Sequence, residues 1–169
     1  MLDRQFTYIN EVVTPGQAIK FQSMGLEQRL CIYYWKAFMN DEGVLAFGLY
    51  ESGHADRAPQ LRAADSVLTE WMGQGFDPDQ VDGRFMAAFS TAQMMHLLGD
   101  GMALLRVVEG GFQIPDNDRI FRYYEMAEAA GELLEQLVEN EVLSVERINW
   151  ALRIYSQDSN QIMKSVCEG

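Results

Sequence analysis

Apolar residues along this chain recur mostly with a helical period, broken at intervals by glycine. From about Leu26 to Asn40, the residues Leu26, Leu30, Tyr33, Tyr34, Ala37 and Phe38 fall on one i, i+4, i+7, i+8 stripe, the spacing of a helix that buries a single face. Trp35 lies off that stripe, roughly 100° around the axis from Tyr34, so this helix is either buried on two sides or shows an aromatic to solvent. Asp41-Glu42-Gly43 closes it, and Val44 to Tyr50 forms a short element before Ser52-Gly53. A second helix is predicted over Pro59–Met72, with Leu61, Ala64, Leu68, Trp71 and Met72 on one face and Gly73 and Gly75 as its stop. Asp77 then has the character of a cap, Pro78 suits a first helical turn and Gln80 sits where a capping box needs it. Val81, Phe85, Ala88, Phe89, Ala92 and Met95 share the face that follows, until Gly99-Asp100-Gly101. A short apolar piece, Met102 to Val108, ends in Gly110-Gly111.

Pro115-Asp116-Asn117-Asp118 opens a long helix to about Glu141, whose apolar face is Met126, Ala130, Leu133, Leu134, Leu137 and Val138. Ser144 caps the last helix, with Ile148, Ala151, Leu152, Tyr155, Ile162 and Val166 inward. At the other end, Phe6, Tyr8, Ile9, Val12 and Val13 form a strand or extended arm that Thr14-Pro15-Gly16 terminates. The pattern therefore predicts an all-α fold. It is a compact helical domain or bundle of five or six helices, with a short N-terminal strand or arm over 1–15. Its expected core includes Leu30, Leu68, Phe89, Leu134, Leu137, Leu152 and Tyr155. A chain of 169 residues fits one domain spanning 1–169, and with 48% apolar residues it can build a core without metals or disulfides.

Charge narrows the partners. Twenty-five acidic and 13 basic side chains give a net charge of −12. Direct binding to nucleic acid or to an anionic membrane needs basic patches that the sequence lacks, the nearest being Arg119 and Arg122. No apolar run approaches the roughly 18 residues of a membrane helix. Met1-Leu2-Asp3-Arg4 has no basic-then-apolar layout, so the expected location is the cytoplasm. Cys31 and Cys167, far apart and outside any C-x-x-C, are expected to be idle thiols in a reducing compartment.

Candidate chemistry is sparse, and the expectation is no metal, no cofactor and no catalytic residue. His54 and His96 belong to no H-E-x-x-H, and the chain has no pair of Glu-x-x-His motifs of the ferritin-like kind. Asp77-Pro78-Asp79-Gln80-Val81-Asp82-Gly83 begins like a calcium loop, but Val81 and Ala88 stand where that loop needs ligands. Gly53-His54-Ala55-Asp56 places an imidazole two residues from a carboxylate, which is the one arrangement suited to acid–base catalysis. Met86, Met94, Met95 and Met102 cluster in sequence, with two readings open: adaptable binding surface or core filler.

One feature stands out. Glu125, Glu128, Glu132, Glu135 and Glu139 are spaced 3, 4, 3 and 4 apart, so the helix gathers five carboxylates on one stripe opposite its apolar face. Glu141 and Glu146 extend the acidity, and no Lys or Arg occurs from Tyr123 to Val145. Like-charge neighbours at this spacing cost about 0.2–0.5 kcal/mol each, a repulsion that a basic partner would relieve. As a nucleic-acid mimic the stripe is dilute. It carries about one charge per 5 Å against about one per 3.4 Å of a DNA strand, unless a second copy in a homodimer adds to it.

Asn40-Asp41-Glu42-Gly43-Val44-Leu45-Ala46-Phe47, followed by Glu51-Ser52-Gly53, resembles a motif in a family of small acidic helical bacterial proteins that includes a DNA mimic. That motif has an Asn-Gly-Gly-Phe-x-Gln core followed by Asn-Ser. This chain has Glu42 for its first glycine, Val44 for its phenylalanine and Ala46 for its glutamine, so no family assignment follows. The leading expectation is a non-enzymatic acidic protein that occludes a basic surface of a protein partner through the five glutamates. An inhibitor or immunity-type protein against nucleic-acid-binding machinery fits that description. A second is an adaptor or complex subunit anchored by Tyr33, Tyr34, Trp35, Tyr123 and Tyr124. A third is an enzyme using His54 and Asp56.

Overall fold

A computed structural model describes residues 11–28, 31–39, 41–42, 45–51, 60–63 and 85–155. They form an α/β mixture with two antiparallel sheets, which corrects the all-α bundle expected from the apolar spacing. The elements in chain order are α1 (Pro15–Met24), β1 (Tyr33–Met39), β2 (Leu45–Glu51), β3 (Gln60–Ala63), β4 (Phe85–Ala87) and α2 (Thr91–Leu98). After a 3-10 turn over Gly99–Leu104 come β5 (Arg106–Val108), β6 (Gly111–Gln113), β7 (Phe121–Arg122), α3 (Met126–Glu139) and the described part of α4, over 145–155. The larger sheet has strand order β3-β2-β1-β4 and the smaller β5-β6-β7.

Residue Trp35 explains why the helical reading of 26–40 fails. The residue that lay off the helical stripe falls into place in a strand, where Trp35 and Ala37 share one face with period two and are fully buried. Opposite them on the same face stand Leu49 and Phe47 of β2, and Met86 of β4 is paired with Trp35. Aromatic residues favour this pleated, half-buried setting. The Trp35 indole Nε1–H donates to the Val13 carbonyl at 2.9 Å and joins the central strand to the residues before α1. Asp41-Glu42 lie in the hairpin connection rather than at a helix end, and the short element expected over Val44 to Tyr50 is strand β2, Leu45 to Glu51.

Four further segments depart from the expected elements. Thr14-Pro15-Gly16 ends an extended stretch in which Val12 bridges Ser90, as expected, but it also opens a helix that was not expected. The Thr14 Oγ1 accepts from the Gln17 backbone N–H at 3.2 Å, and the Gln17 Oε1 accepts from the Thr14 N–H at 3.0 Å. Phe85–Ala87 is a strand, and the helix of that region starts later, at a second capping box formed by Ser90 and Gln93. Residues 115–125 form turns, β7 and a 3-10 turn before α3 begins at Met126. Asp116 sits at φ 57°, and the Asn117 Oδ1 accepts from the Arg119 N–H at 2.9 Å, a local bond that competes with a helix. Gln60–Ala63, inside the helix predicted over Pro59–Met72, is strand β3. The rest of that helix, Leu30, Leu68, the Asp77 start and residues 1–10 of the predicted arm lie outside the described residues.

The C-terminal pattern holds better. Leu133, Leu134 and Leu137 of α3 are buried with Phe89, Ile148 and Leu152, while Tyr155 is half-buried. Ser144 starts α4, its Oγ accepting from the Arg147 N–H at 3.2 Å. The buried surface of α3 is wider than the predicted stripe, because Ala127, Ala129 and Gly131 are buried as well. At Gly131 the reason is close approach. A Cβ there would lie 2.8 Å from Nε2 of the buried Gln17, whose amide donates to the Glu128 carbonyl at 2.7 Å. Glycine thus lets α1 lie directly against α3.

Candidate functional site

The five glutamates of the predicted stripe do share α3 and its entry, but the fold supplies cations that the local sequence lacks. Arg119, in the connection leading to β7, lies 3.0 Å from Glu128 and 3.8 Å from Glu125. Glu125 also caps the preceding turn, its Oε2 accepting from the Arg122 N–H at 2.7 Å. Lys20 of α1 forms an ion pair with Glu135. Glu132 accepts from the Asn117 Nδ2 at 2.7 Å. Of the five only Glu139 is exposed, and it forms no ion pair among the described residues. Four of the carboxylates therefore clamp α1 and the β6–β7 connection onto α3, and the repulsion expected along the stripe is largely offset within the fold.

Burial raises the Glu132 carboxyl above its ordinary value; Arg119 and the Asn117 hydrogen bond lower it, while Glu135 and Glu128 add to the rise. A carboxyl whose folded pKa is raised contributes stability that is complete below the unfolded pKa and is lost as pH rises through the folded value. At neutral pH the charged Glu132 is thus a burden, and Glu132→Gln should stabilise the protein. After solvent screening the gain should not exceed about 0.5 kcal/mol, and it should shrink as the pH falls toward 4. Glu135→Gln should do the opposite, costing about 0.5–1 kcal/mol through loss of the Lys20 pair. Urea unfolding of both variants at pH 7 and pH 4 checks the two signs.

Other candidate residues are placed as follows. Trp35 is fully buried and serves as core, and Tyr33 and Tyr34 are half-buried. Tyr34 stacks on Tyr50 with ring centroids 5.6 Å apart and tilts against Phe85 at 5.3 Å. Tyr123 and Tyr124 are exposed, as are Val107 and Ile120 of the small-sheet region. The methionine cluster divides: Met86 and Met94 are core, Met102 is half-buried and Met95 is exposed. Cys31 is partly buried, its Sγ 3.4 Å from the Gln28 carbonyl, and burial pushes its thiol up to about 11, which makes it a poor nucleophile at neutral pH. His96 has Nε2 3.0 Å from the Ala151 carbonyl and its ring 5.1 Å from that of Tyr155. His54, Asp56 and Cys167 lie outside the described residues. Among the described residues, no three His, Cys, Asp or Glu side chains are grouped to hold a metal, and no helix is long and apolar enough to cross a membrane.

A feature that the sequence did not disclose is a groove of about 610 Å³ between α2, the turn after α3 and α4. Its walls include Leu104, Leu137, Val142, Trp150 and Ile154, with Asp100 and Arg147 among the charged lining residues. The turn is tight, with the N–H groups of Val142 and Leu143 both donating to the Leu137 carbonyl and Glu141 at φ 58°. Asn149 fixes α4 from its other side: its Oδ1 accepts from the Glu27 N–H at 2.8 Å, and its Nδ2 donates to the Gly25 carbonyl at 3.0 Å. The Arg153 Nε also donates to the Glu27 Oε1 at 2.9 Å. The signal for the groove was present as Val142 and Trp150, apolar residues outside the predicted inward faces. Comparison with protein-family models, with curated protein sequences and with solved structures finds no match to this chain.

Proposed function

We propose that this chain is a non-enzymatic binding protein that covers a basic surface of a protein partner, of the inhibitor or immunity type directed at nucleic-acid-binding machinery. The observation that carries this reading is the charge left after internal pairing. Asp100, Glu109, Asp116, Asp118, Glu139, Glu141 and Glu146 are exposed and form no ion pair among the described residues. In the same stretch the cations outside ion pairs are Arg106, Arg122 and Arg147, and Arg122 donates to the Tyr124 hydroxyl. A surface with this excess attracts and orients a cationic partner over a Debye length. The binding carboxylates on this reading are Glu139 at the end of the stripe, with Glu141 and Glu146, while Glu125, Glu128, Glu132 and Glu135 hold the scaffold.

Affinity capture from the native host at low salt tests this, with the parent and a Glu139→Gln/Glu141→Gln/Glu146→Gln variant as baits. The parent should retain a protein of basic surface that salt releases, and the variant should retain it about tenfold less well, roughly 1.4 kcal/mol. Equal retention by both baits at every salt concentration would reject the acidic reading. It would favour an adaptor that binds through the exposed Tyr123, Tyr124, Val107 and Ile120, since apolar contacts are insensitive to screening.

A further inference from the structure

We infer that the groove between α2 and α4 receives the apolar face of a basic amphipathic helix of the protein partner, an inference that rests on the acidic binding reading above. Three large apolar side chains stand open to solvent along the groove: Val142 is 63% exposed, Trp150 60% and Leu104 44%. A volume of about 610 Å³ lies within the range of functional pockets. It has room for the anchors that a helix presents at i, i+3 or i+4, and i+7. The walls are helices and turns, so ridges of an incoming helix can pack into them. No strand edge lies among the lining residues, so the site offers no backbone ladder to an extended peptide.

Charge selects the kind of helix. Asp100 lines the groove, Glu139 closes α3 two residues after the lining Leu137, Glu141 lies in the turn before the lining Val142, and Glu146 adjoins Arg147 in sequence. Asp100 and Arg147 balance within the lining itself, and Arg147 forms no ion pair among the described residues; the negative excess comes from Glu139, Glu141 and Glu146, each exposed and one or two residues in sequence from a lining residue. An incoming helix that flanks its apolar stripe with Lys or Arg complements this rim. A second copy of this chain, with its net charge of −12, would bring carboxylates to carboxylates.

Three synthetic helical peptides of roughly 18 residues, long enough to form helix on binding, provide the probe. One has a Leu face and a Lys face, one the same Leu face with Glu, and one Lys with Ser in place of Leu. Binding is followed by tryptophan emission and by calorimetry, with circular dichroism confirming that Val142→Asp and Trp150→Ala remain folded. The Leu–Lys peptide should bind best and shift the emission of the parent to the blue. Each substitution should weaken it at least about tenfold, as expected for central anchors. Equal binding of Leu–Lys peptide to parent and both variants overturns the groove. If the Ser–Lys peptide also binds as tightly as Leu–Lys, the groove fails while the acidic reading survives. Equal affinity for the Leu–Glu and Leu–Lys peptides, with loss in Val142→Asp, overturns the basic partner and with it the acidic reading.

Discussion

Trp35→Ala is expected to cost about 3–5 kcal/mol of stability, the largest loss from any single side chain described. The indole is fully buried at the centre of the larger sheet, flanked in register by Leu49 and Met86. Its removal leaves a cavity in the core and strips the Val13 carbonyl of the bond that the indole N–H donates. Trp35→Phe keeps most of the apolar contact and loses the hydrogen bond, so it should cost less, about 1–3 kcal/mol. Denaturant unfolding gives both values. An unchanged midpoint for Trp35→Ala would return Trp35 to the surface, as the aromatic anchor of the adaptor reading.

Gly111→Ala should be nearly as damaging, by a different route. Gly111 follows the Glu109-Gly110 loop, is paired with Val108 on one side and Arg122 on the other, and lies in the middle strand of the small sheet. A Cβ at this position would lie 1.7 Å from the Phe121 carbonyl oxygen, a backbone atom that no side-chain rotation can move aside. The β6–β7 pairing must separate, and Phe121, which is fully buried, must shift with it. A loss of about 2–4 kcal/mol follows from such a backbone displacement. Hydrogen exchange should show it first at residues 111–122. Gly110→Ala, at φ 89° but with open space around the added carbon, should cost less, about 1 kcal/mol.

The sequence exposed the C-terminal half more fully than the N-terminal half, and the reason lies in range. Leu133, Leu134 and Leu137 recur within one helix, and Ser144 caps its neighbour through a residue three positions on, so local spacing reveals both. Strand β1 carries the spacing of a helix by accident of its tyrosines. Only Trp35, out of phase with that stripe, marked the alternative, because alternation of Trp35 and Ala37 makes sense only against the distant partners Leu49 and Met86. Two capping boxes, Thr14 with Gln17 and Ser90 with Gln93, carry the local S/T-x-x-Q spacing that marks a helix start. The carboxylate stripe was legible as a pattern, but its setting was not. Lys20 meets Glu135 across 115 residues of chain, and Asn117 and Arg119 approach Glu132 and Glu128 from a segment expected to be helix. Pairing at that distance is a property of the fold. It turns Glu128 and Glu135 from unrelieved repulsion into scaffold contacts, and it leaves the outward charge at Glu139, Glu141 and Glu146.

That outward charge is tested most directly by calorimetric titration of the captured basic partner into the parent and into the Glu139→Gln/Glu141→Gln/Glu146→Gln variant across a series of salt concentrations. Parent affinity should fall steeply as salt rises, because screening removes the attraction between exposed charges. The variant should bind about tenfold more weakly at low salt and lose less affinity as salt is added, so that the two curves converge near 1 M, where the Debye length is about 3 Å. Parallel curves of equal affinity for parent and variant would show that these carboxylates face only water, contradicting a binding surface at this end of α3.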